Sequence, residues 1–135
     1  MSVFPWMDKY SVHVKEIDLQ HKKLVDLLNV LAEAMSNGRG NDVLNTIFNE
    51  LVDYTVFHFA EEEKYFEKIE YPQADEHRNE HKELVEQALK LKADFESNKI
   101  GISIEVMQFL KKWLIDHISG TDMELGKMLN RSGIK

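Results

Sequence analysis

Apolar residues recur along most of this chain in alternating steps of four and three, the spacing of the buried face of a helix in a bundle. β-Strands would instead alternate with a period of two. The four seams consist of Ile17, His21, Leu24, Leu28, Leu31 and Met35; of Ile47, Leu51, Tyr54, His58, Glu62, Tyr65 and Ile69; of His77, His81, Leu84, Ala88, Leu91 and Phe95; and of Val106, Leu110, Trp113 and His117. The pattern predicts four amphipathic helices.

Glycines, prolines and capping residues predict where these helices begin and end. Asp18 is the expected N-cap of the first helix, and the segment before it is expected to be an N-terminal arm. The predicted ranges are 1–17 for the arm and about 18–36, 41–69, 73–98 and 103–129 for the helices. Short connections make neighbouring helices antiparallel. The predicted fold class is therefore all-α, an up-down-up-down antiparallel four-helix bundle, with residues 1–135 forming a single domain.

Composition and charge exclude several classes of protein. The chain has 135 residues, 43% of them hydrophobic, so it can bury one core. It has no cysteine, which excludes disulfides and thiolate metal sites. The net charge of −7, without a basic stripe, argues against nucleic-acid binding. No apolar run approaches the roughly 18 residues of a membrane span, and the N-terminus lacks the pattern of a signal peptide, so a cytoplasmic location is expected.

Five of the six histidines lie on the seams, and the predicted topology brings them to one end of the bundle. In an up-down bundle, the start of the first helix, the end of the second, the start of the third and the end of the fourth lie together. A lone histidine on a seam is usually a core residue, but a set that converges on one layer indicates a metal site. The candidate ligands are His21, His58, Glu62, His77, His81, His117 and Asp122.

Local spacing adds to this prediction. His58 and Glu62 are four residues apart, as are His77 and His81, so each pair occupies one helix face. His117 and Asp122 are five apart, and an unbroken α-helix would turn them to different faces. Both can point inward only if the helix is bulged between them. We therefore expect irregular backbone at residues 119–121.

The donor set narrows the choice of metal. Imidazole combined with carboxylate suits iron, manganese or zinc and disfavours calcium or magnesium. Seven ligands are too many for one tetrahedral zinc, but they suit two octahedral ions that share two carboxylates and a solvent-derived bridge. Ferritin-like di-iron proteins need Glu-x-x-His pairs. The nearest sequence here is Asp18-x-x-His21, which argues against that class.

Four motifs of this chain resemble those of hemerythrins, in particular bacteriohemerythrins. They are Ile17-Asp18-Leu19-Gln20-His21-Lys22-Lys23-Leu24, His58-Phe59-x-x-Glu62-Glu63, Tyr71-Pro72-x-x-x-x-His77-x-x-x-His81 and His117-Ile118-x-x-x-Asp122, and the resemblance extends from about Trp6 to Leu129. It implies a non-haem di-iron centre, two iron ions per chain with an oxo or hydroxo bridge, that binds dioxygen reversibly. It further implies one iron held by His77, His81 and His117, a second iron with an open position held by His21 and His58, and bridging by Glu62 and Asp122.

The expected function is oxygen storage, delivery or buffering, without catalysis. The alternatives are a sensor of oxygen or iron and an enzyme that acts on peroxide or nitric oxide. The expected partners are dioxygen and, as a candidate, an oxygen-using enzyme; the sequence fits a monomer and a homo-oligomer equally. Apolar walls are expected from Leu24, Val25, Phe59, Leu114 and Ile118, with Trp6 as a candidate from the arm.

Two further residues are assigned minor roles. His13, where related sequences often have glycine, is expected at the surface rather than near an access path to the site. Asp18 is expected to cap the first helix, with a hydrogen bond to a ligand histidine as the alternative.

Overall fold

The computed structural model describes residues 4–97 and 104–135, and within these ranges it contains helices and no strand. Its helices are α1 (Lys15–Ser36), α2 (Asn41–Lys68), α3 (Ala74–Glu96), α4 (Ile104–His117) and α5 (Met123–Arg131), with a 3-10 turn at Asp8–Tyr10 and a π-helix at Ile118–Asp122 that joins α4 to α5. α1 packs against α2 and α4, and α2 packs against α3. The predicted four-helix bundle is confirmed. The predicted third-helix end at 98 and fourth-helix start at 103 lie outside the described residues.

The helices are amphipathic. On α1, Leu24, Leu28 and Leu31 are buried, whereas Lys22 and Lys23 are exposed. Burial of such a stripe stabilises the bundle by about 1.5–3 kcal/mol for each large apolar side chain. Among the described residues, no helix combines the length and hydropathy needed to cross a membrane.

The prediction that Asp18 caps the first helix is wrong. α1 begins three residues earlier, at Lys15, and its N-cap residue Val14 makes no side-chain cap. The Asp18 carboxylate instead accepts hydrogen bonds from the backbone N–H of Val12 at 2.8 Å and the hydroxyl of Ser11 at 2.6 Å. The local sequence does not distinguish a helix cap from a contact with the arm, because in both cases the carboxylate accepts hydrogen bonds from donors near the start of the helix. Asp18 therefore ties the arm to the bundle.

Two apolar clusters enclose one polar layer. The arm-side cluster consists of Val12, Val14, Ile17, Phe66, Tyr71, Leu125 and Leu129. The main cluster fills the rest of the bundle and includes Leu24, Leu28 and Leu114. On α1, His21 lies between Ile17 of the arm-side cluster and Leu24 of the main cluster. The site is therefore built inside the core, and not at the surface.

Candidate metal centre

All seven predicted ligand side chains converge in this layer, and each is at most 3% exposed. They form two overlapping sets whose donor atoms lie within 4.8 Å of one another. The first set is Glu62, His77, His81, His117 and Asp122, and the second is His21, His58, Glu62 and Asp122. The two carboxylates belong to both sets, so they lie between a group of three histidines and a group of two.

Asp122 faces both histidine groups with different oxygens. Its Oδ1 lies 3.0 Å from Nε2 of His77 and 3.0 Å from Nε2 of His117. Its Oδ2 lies 2.8 Å from Nε2 of His21. A carboxylate in this position can hold two cations at once, one through each oxygen.

Glu62 also contacts both groups. Its Oε1 lies 3.0 Å from Nε2 of His58 and 3.3 Å from Nε2 of His81. Nε2 of His117 is 3.7 Å away. Glu62 therefore lies across the layer, with donors from α2, α3 and α4 around it.

A π-helix turns Asp122 inward. The backbone between His117 and Asp122 forms wider turns over Ile118–Asp122, which confirms the irregularity expected at residues 119–121. One extra residue per turn lets positions five apart share a face. Both His117 and Asp122 are buried in consequence. This local departure from α-helix is what completes the constellation.

Buried polar atoms without partners give a direct test of whether a metal fits. Among the described residues, seven of them face the layer: Nε2 of His21, His58, His81 and His117, both oxygens of Glu62, and Oδ2 of Asp122. Leaving such atoms unsatisfied costs about 1–3 kcal/mol each. Two ligand atoms that each lie about 2.1 Å from one ion, at a right angle to each other, are about 3 Å apart. Five of the nitrogen–oxygen pairs in the layer are separated by 2.8–3.3 Å, which is close to that distance. The residues therefore fit a metal centre.

The layer keeps its carboxylates ionised. Burial opposes the ionisation of Glu62, but the close imidazoles of His58, His117 and His81 hold the pKa of Glu62 well below its ordinary value. Burial and the charge of Glu62 likewise oppose ionisation of Asp122, yet His117 and the other histidine contacts lower its pKa. Burial disfavours a charged His117, but Asp122 and the neighbouring carboxylates raise its pKa well above the ordinary value. Two buried anions among imidazoles are suited to binding cations.

Three of the candidate ligand histidines are oriented by side chains that the sequence analysis did not identify. Nδ1 of His58 donates to Gln20 Oε1 at 2.6 Å, Nδ1 of His81 to Glu63 Oε2 at 3.1 Å, and Nδ1 of His117 to Glu80 Oε1 at 2.6 Å. In each pair the acceptor comes from the preceding helix. Because these contacts keep a proton on Nδ1, each ring can present the lone pair of Nε2 to a metal once Nε2 is deprotonated.

A signal for these acceptors was present in the sequence. Gln20 precedes His21, Glu63 follows Glu62, and Glu80 precedes His81. A residue next to a seam ligand is turned by about 100° toward an adjacent helix. Glu63 is accordingly partly buried and lies against His81.

Apolar side chains border the layer as expected. The ring of Phe59 stacks on the ring of His81 at 3.9 Å with an interplanar angle of 4°. Phe59, Leu24 and Leu114 line a narrow gap beside His117 that has no room for a water molecule. The other expected wall residues, Val25 and Ile118, are buried in the main cluster, against which Trp6 packs from the arm. These side chains exclude water from one side of the layer.

His13 lies outside the constellation. It is exposed, as expected, and its φ of 61° places it in the left-handed region that glycine favours. Its backbone N–H donates to Ser11 Oγ and its carbonyl accepts from Asn130 Nδ2. The backbone of His13 therefore forms part of the turn in the arm.

The chain is similar to known proteins over nearly its whole length. The family model "Hemerythrin HHE cation binding domain" matches residues 12–129. A bacteriohemerythrin of Stenotrophomonas maltophilia is 30% identical over 122 residues, which cover 90% of this chain and 78% of that protein. A hemerythrin-like protein of Naegleria gruberi is 33% identical over 123 residues, which cover 91% of this chain and 91% of that protein. The crystal structure of a wild-type hemerythrin matches with a TM-score of 0.88 and 27% identity, over 95% of this chain and 98% of that one.

Proposed function

Because this chain belongs to the hemerythrin family, we propose that it binds dioxygen reversibly at a non-haem di-iron centre, for oxygen storage, delivery or buffering. The observation that carries the proposal is the position of Glu62 and Asp122, which belong to both sets of donor atoms. Two cations can share such carboxylates. A site for one cation would not require a carboxylate to belong to two sets of donor atoms.

The donor sets suggest how the two ions are divided. His77, His81 and His117 would hold one iron, His21 and His58 the other, and the two carboxylates would join them. The position with two histidines has one protein ligand fewer, so it is the one where dioxygen would bind. The iron pair would supply the two electrons that dioxygen takes up on binding and would regain them on release.

The residues around the layer supply the conditions for reversibility. Glu62 and Asp122 stay ionised, so they can bind cations and offset their charge without first releasing a proton. Phe59, Leu24 and Leu114 keep water out of the narrow gap beside His117. Water and protons would promote oxidation of the iron, so a dry wall favours a carrier.

The set of buried histidine and carboxylate side chains favours an oxygen carrier over an enzyme. Across residues 4–97 and 104–135, the buried histidine and carboxylate side chains are the seven of this layer. None is left over to act as a separate general acid or base. We therefore propose no catalytic residue.

The experiment is to load the protein with ferrous iron without oxygen, admit air, and remove the oxygen again. A visible absorption band that appears with air and disappears on deoxygenation, over repeated cycles, supports the proposal. Irreversible oxidation at the first exposure would favour an enzyme or scavenger instead. One zinc per chain in the purified protein would overturn the di-iron assignment. The His13→Gly variant, which is changed outside the layer, should show the same absorption band and the same reversibility as the wild type.

A further inference from the structure

The two histidine groups differ in what lies behind them. In the three-histidine group, the acceptors at Nδ1 of His81 and His117 are the carboxylates of Glu63 and Glu80. In the two-histidine group, His58 donates to the neutral amide oxygen of Gln20. Nδ1 of His77 in the first group and Nδ1 of His21 in the second have no hydrogen-bond partner among the described residues. The side chains that accept from the histidine Nδ1 atoms are therefore two carboxylates in the three-histidine group and a neutral amide in the two-histidine group.

This difference changes the metal affinity of the imidazoles. A carboxylate that accepts the Nδ1 proton makes Nε2 a stronger donor to a metal, and such outer partners typically contribute a factor of 10–100 in affinity. Hydrogen bonds to charged acceptors are also about twice as strong as neutral ones, so they hold the ring orientation more firmly. A neutral amide orients His58 but adds less basicity.

Glu80 is the more firmly held of the two carboxylates. Its Oε1 accepts both from Nδ1 of His117 and from the hydroxyl of Thr121, each at 2.6 Å. Thr121 lies in the π-helix, one residue before Asp122. Glu80 thus connects α3 to the bulge that brings Asp122 inward. Glu63 makes a longer contact of 3.1 Å with His81.

We propose that the position of His77, His81 and His117 takes up the first metal ion with the higher affinity, and that Glu80 and Glu63 are the positioning residues responsible. This inference rests on the proposed two-metal function. Filling proceeds from the three-histidine position to the two-histidine position, so the ion at the dioxygen side is the more readily exchanged. Glu80 contributes more than Glu63, because its contact is shorter and is fixed by Thr121.

The test is a titration of the metal-free protein with Co²⁺, followed by calorimetry and visible absorption. The wild type should bind two ions in two resolved steps. Glu80→Gln should weaken the first step about 10–100-fold and leave the second within about threefold. Glu63→Gln should weaken the same step by a smaller factor, and Gln20→Glu should strengthen the second step.

Controls separate this effect from a loss of charge or of folding. Glu83→Gln removes the same charge from an exposed position of α3 and should leave both steps unchanged. Thr121→Val keeps Glu80 but removes one of its contacts, so it should weaken the first step less than Glu80→Gln does. The thermal midpoint of each metal-free variant should stay well above the temperature of the titration, so that a weakened first step cannot be a loss of folding.

The outcomes distinguish the two proposals. Binding of one ion by the wild type would overturn the di-iron function, and this inference with it. Two ions with equal affinities, or a Glu80→Gln variant in which the second step is the weakened one, would overturn the inference alone. Unchanged affinities in both Glu80→Gln and Glu63→Gln would do the same.

Discussion

Gly126 on α5 lies directly against the backbone of Val12 in the arm. A Cβ at position 126 would stand 2.4 Å from the Val12 carbonyl oxygen and 2.8 Å from the Val12 Cβ, closer than such atoms approach one another. The missing side chain lets the arm rest on α5. Val12 in turn belongs to the arm-side cluster, which closes the end of the bundle above the polar layer.

The Gly126→Ala variant should be less stable than the wild type. Alanine favours a helix by about 1 kcal/mol over glycine, but the clash with the Val12 backbone forces the arm to move, at a cost of about 1–3 kcal/mol. We expect a net loss of up to about 2 kcal/mol in the free energy of unfolding, measured by urea denaturation. Gly120→Ala is the control, since Gly120 also lies in a helix and a Cβ there meets no described atom within 4 Å. A more stable Gly126→Ala variant would contradict the close packing.

The His13→Gly variant should be more stable. A φ of 61° costs an L-residue about 1–2 kcal/mol, part of which is offset because glycine makes the unfolded chain more flexible. We expect a gain of about 0.5–1 kcal/mol in the free energy of unfolding, with the metal content unchanged. Loss of metal from this variant would mean that His13 contributes to the site after all.

Much of the fold and of the site was predictable because the relevant signals are local. The seam that carries Ile17, His21 and Leu24 follows directly from helical periodicity, and short connections fix the antiparallel order. The convergence of the seven side chains then follows from topology. The spacing of His117 and Asp122 even predicted a bulge, because two inward side chains five apart are incompatible with α-helix.

The remaining features depend on contacts between segments distant in sequence. Asp18 looked like a cap because nothing in the sequence shows that the arm folds back to present Val12 and Ser11. The pairing of Glu80 with His117 spans 37 residues and depends on how α3 and α4 are rotated against one another. Sequence periodicity gives the buried face of each helix but not this rotation to within a hydrogen bond.

Replacing a shared carboxylate should cost the paired metal centre. Asp122→Asn keeps the size of the side chain but removes the charge that faces His77, His117 and His21. We expect iron-loaded wild type to contain two ions per chain and Asp122→Asn one or none, as measured by metal analysis after desalting. Asp122→Ala and Glu62→Ala should give the same result. Retention of two ions in all three variants would exclude the shared role of these carboxylates.

The metal-free protein should lose stability in acid. Glu62 and Asp122 have pKa values lowered from 4.5 and 3.8, so they stabilise the folded state above those ordinary values. That contribution is lost as the pH falls below about 4 and the carboxylates take up protons. Urea unfolding between pH 7 and pH 3 should show the loss, and Asp122→Asn should show a shallower dependence. Equal slopes would mean that Asp122 does not ionise in the folded protein.

The metal-free protein should also lose stability as the pH rises, because His117 then loses its charge. Its raised pKa means that the charged form stabilises the metal-free protein below about pH 6.5, and that this contribution is lost as the pH rises through the higher folded value. His117→Gln should remove this alkaline loss in urea unfolding between pH 6 and pH 10. His13→Gln, at an exposed position, should retain it. If both variants behave alike, the charge of His117 does not contribute.

Removing metal should lower the thermal stability of the wild type substantially. Without a cation, unpartnered buried atoms such as Glu62 Oε2 and His81 Nε2 remain in the core. A metal that binds only the folded state, at a free concentration 100 times its dissociation constant, adds about 2.7 kcal/mol for each site. For a chain of this size we expect a rise of about 10 °C or more in Tm when ferrous iron is added without oxygen. Asp122→Asn should show less than half of that rise. A Tm that does not change with ferrous iron or with a chelator would mean that the buried polar layer is satisfied without metal, and the proposed centre would have to be abandoned.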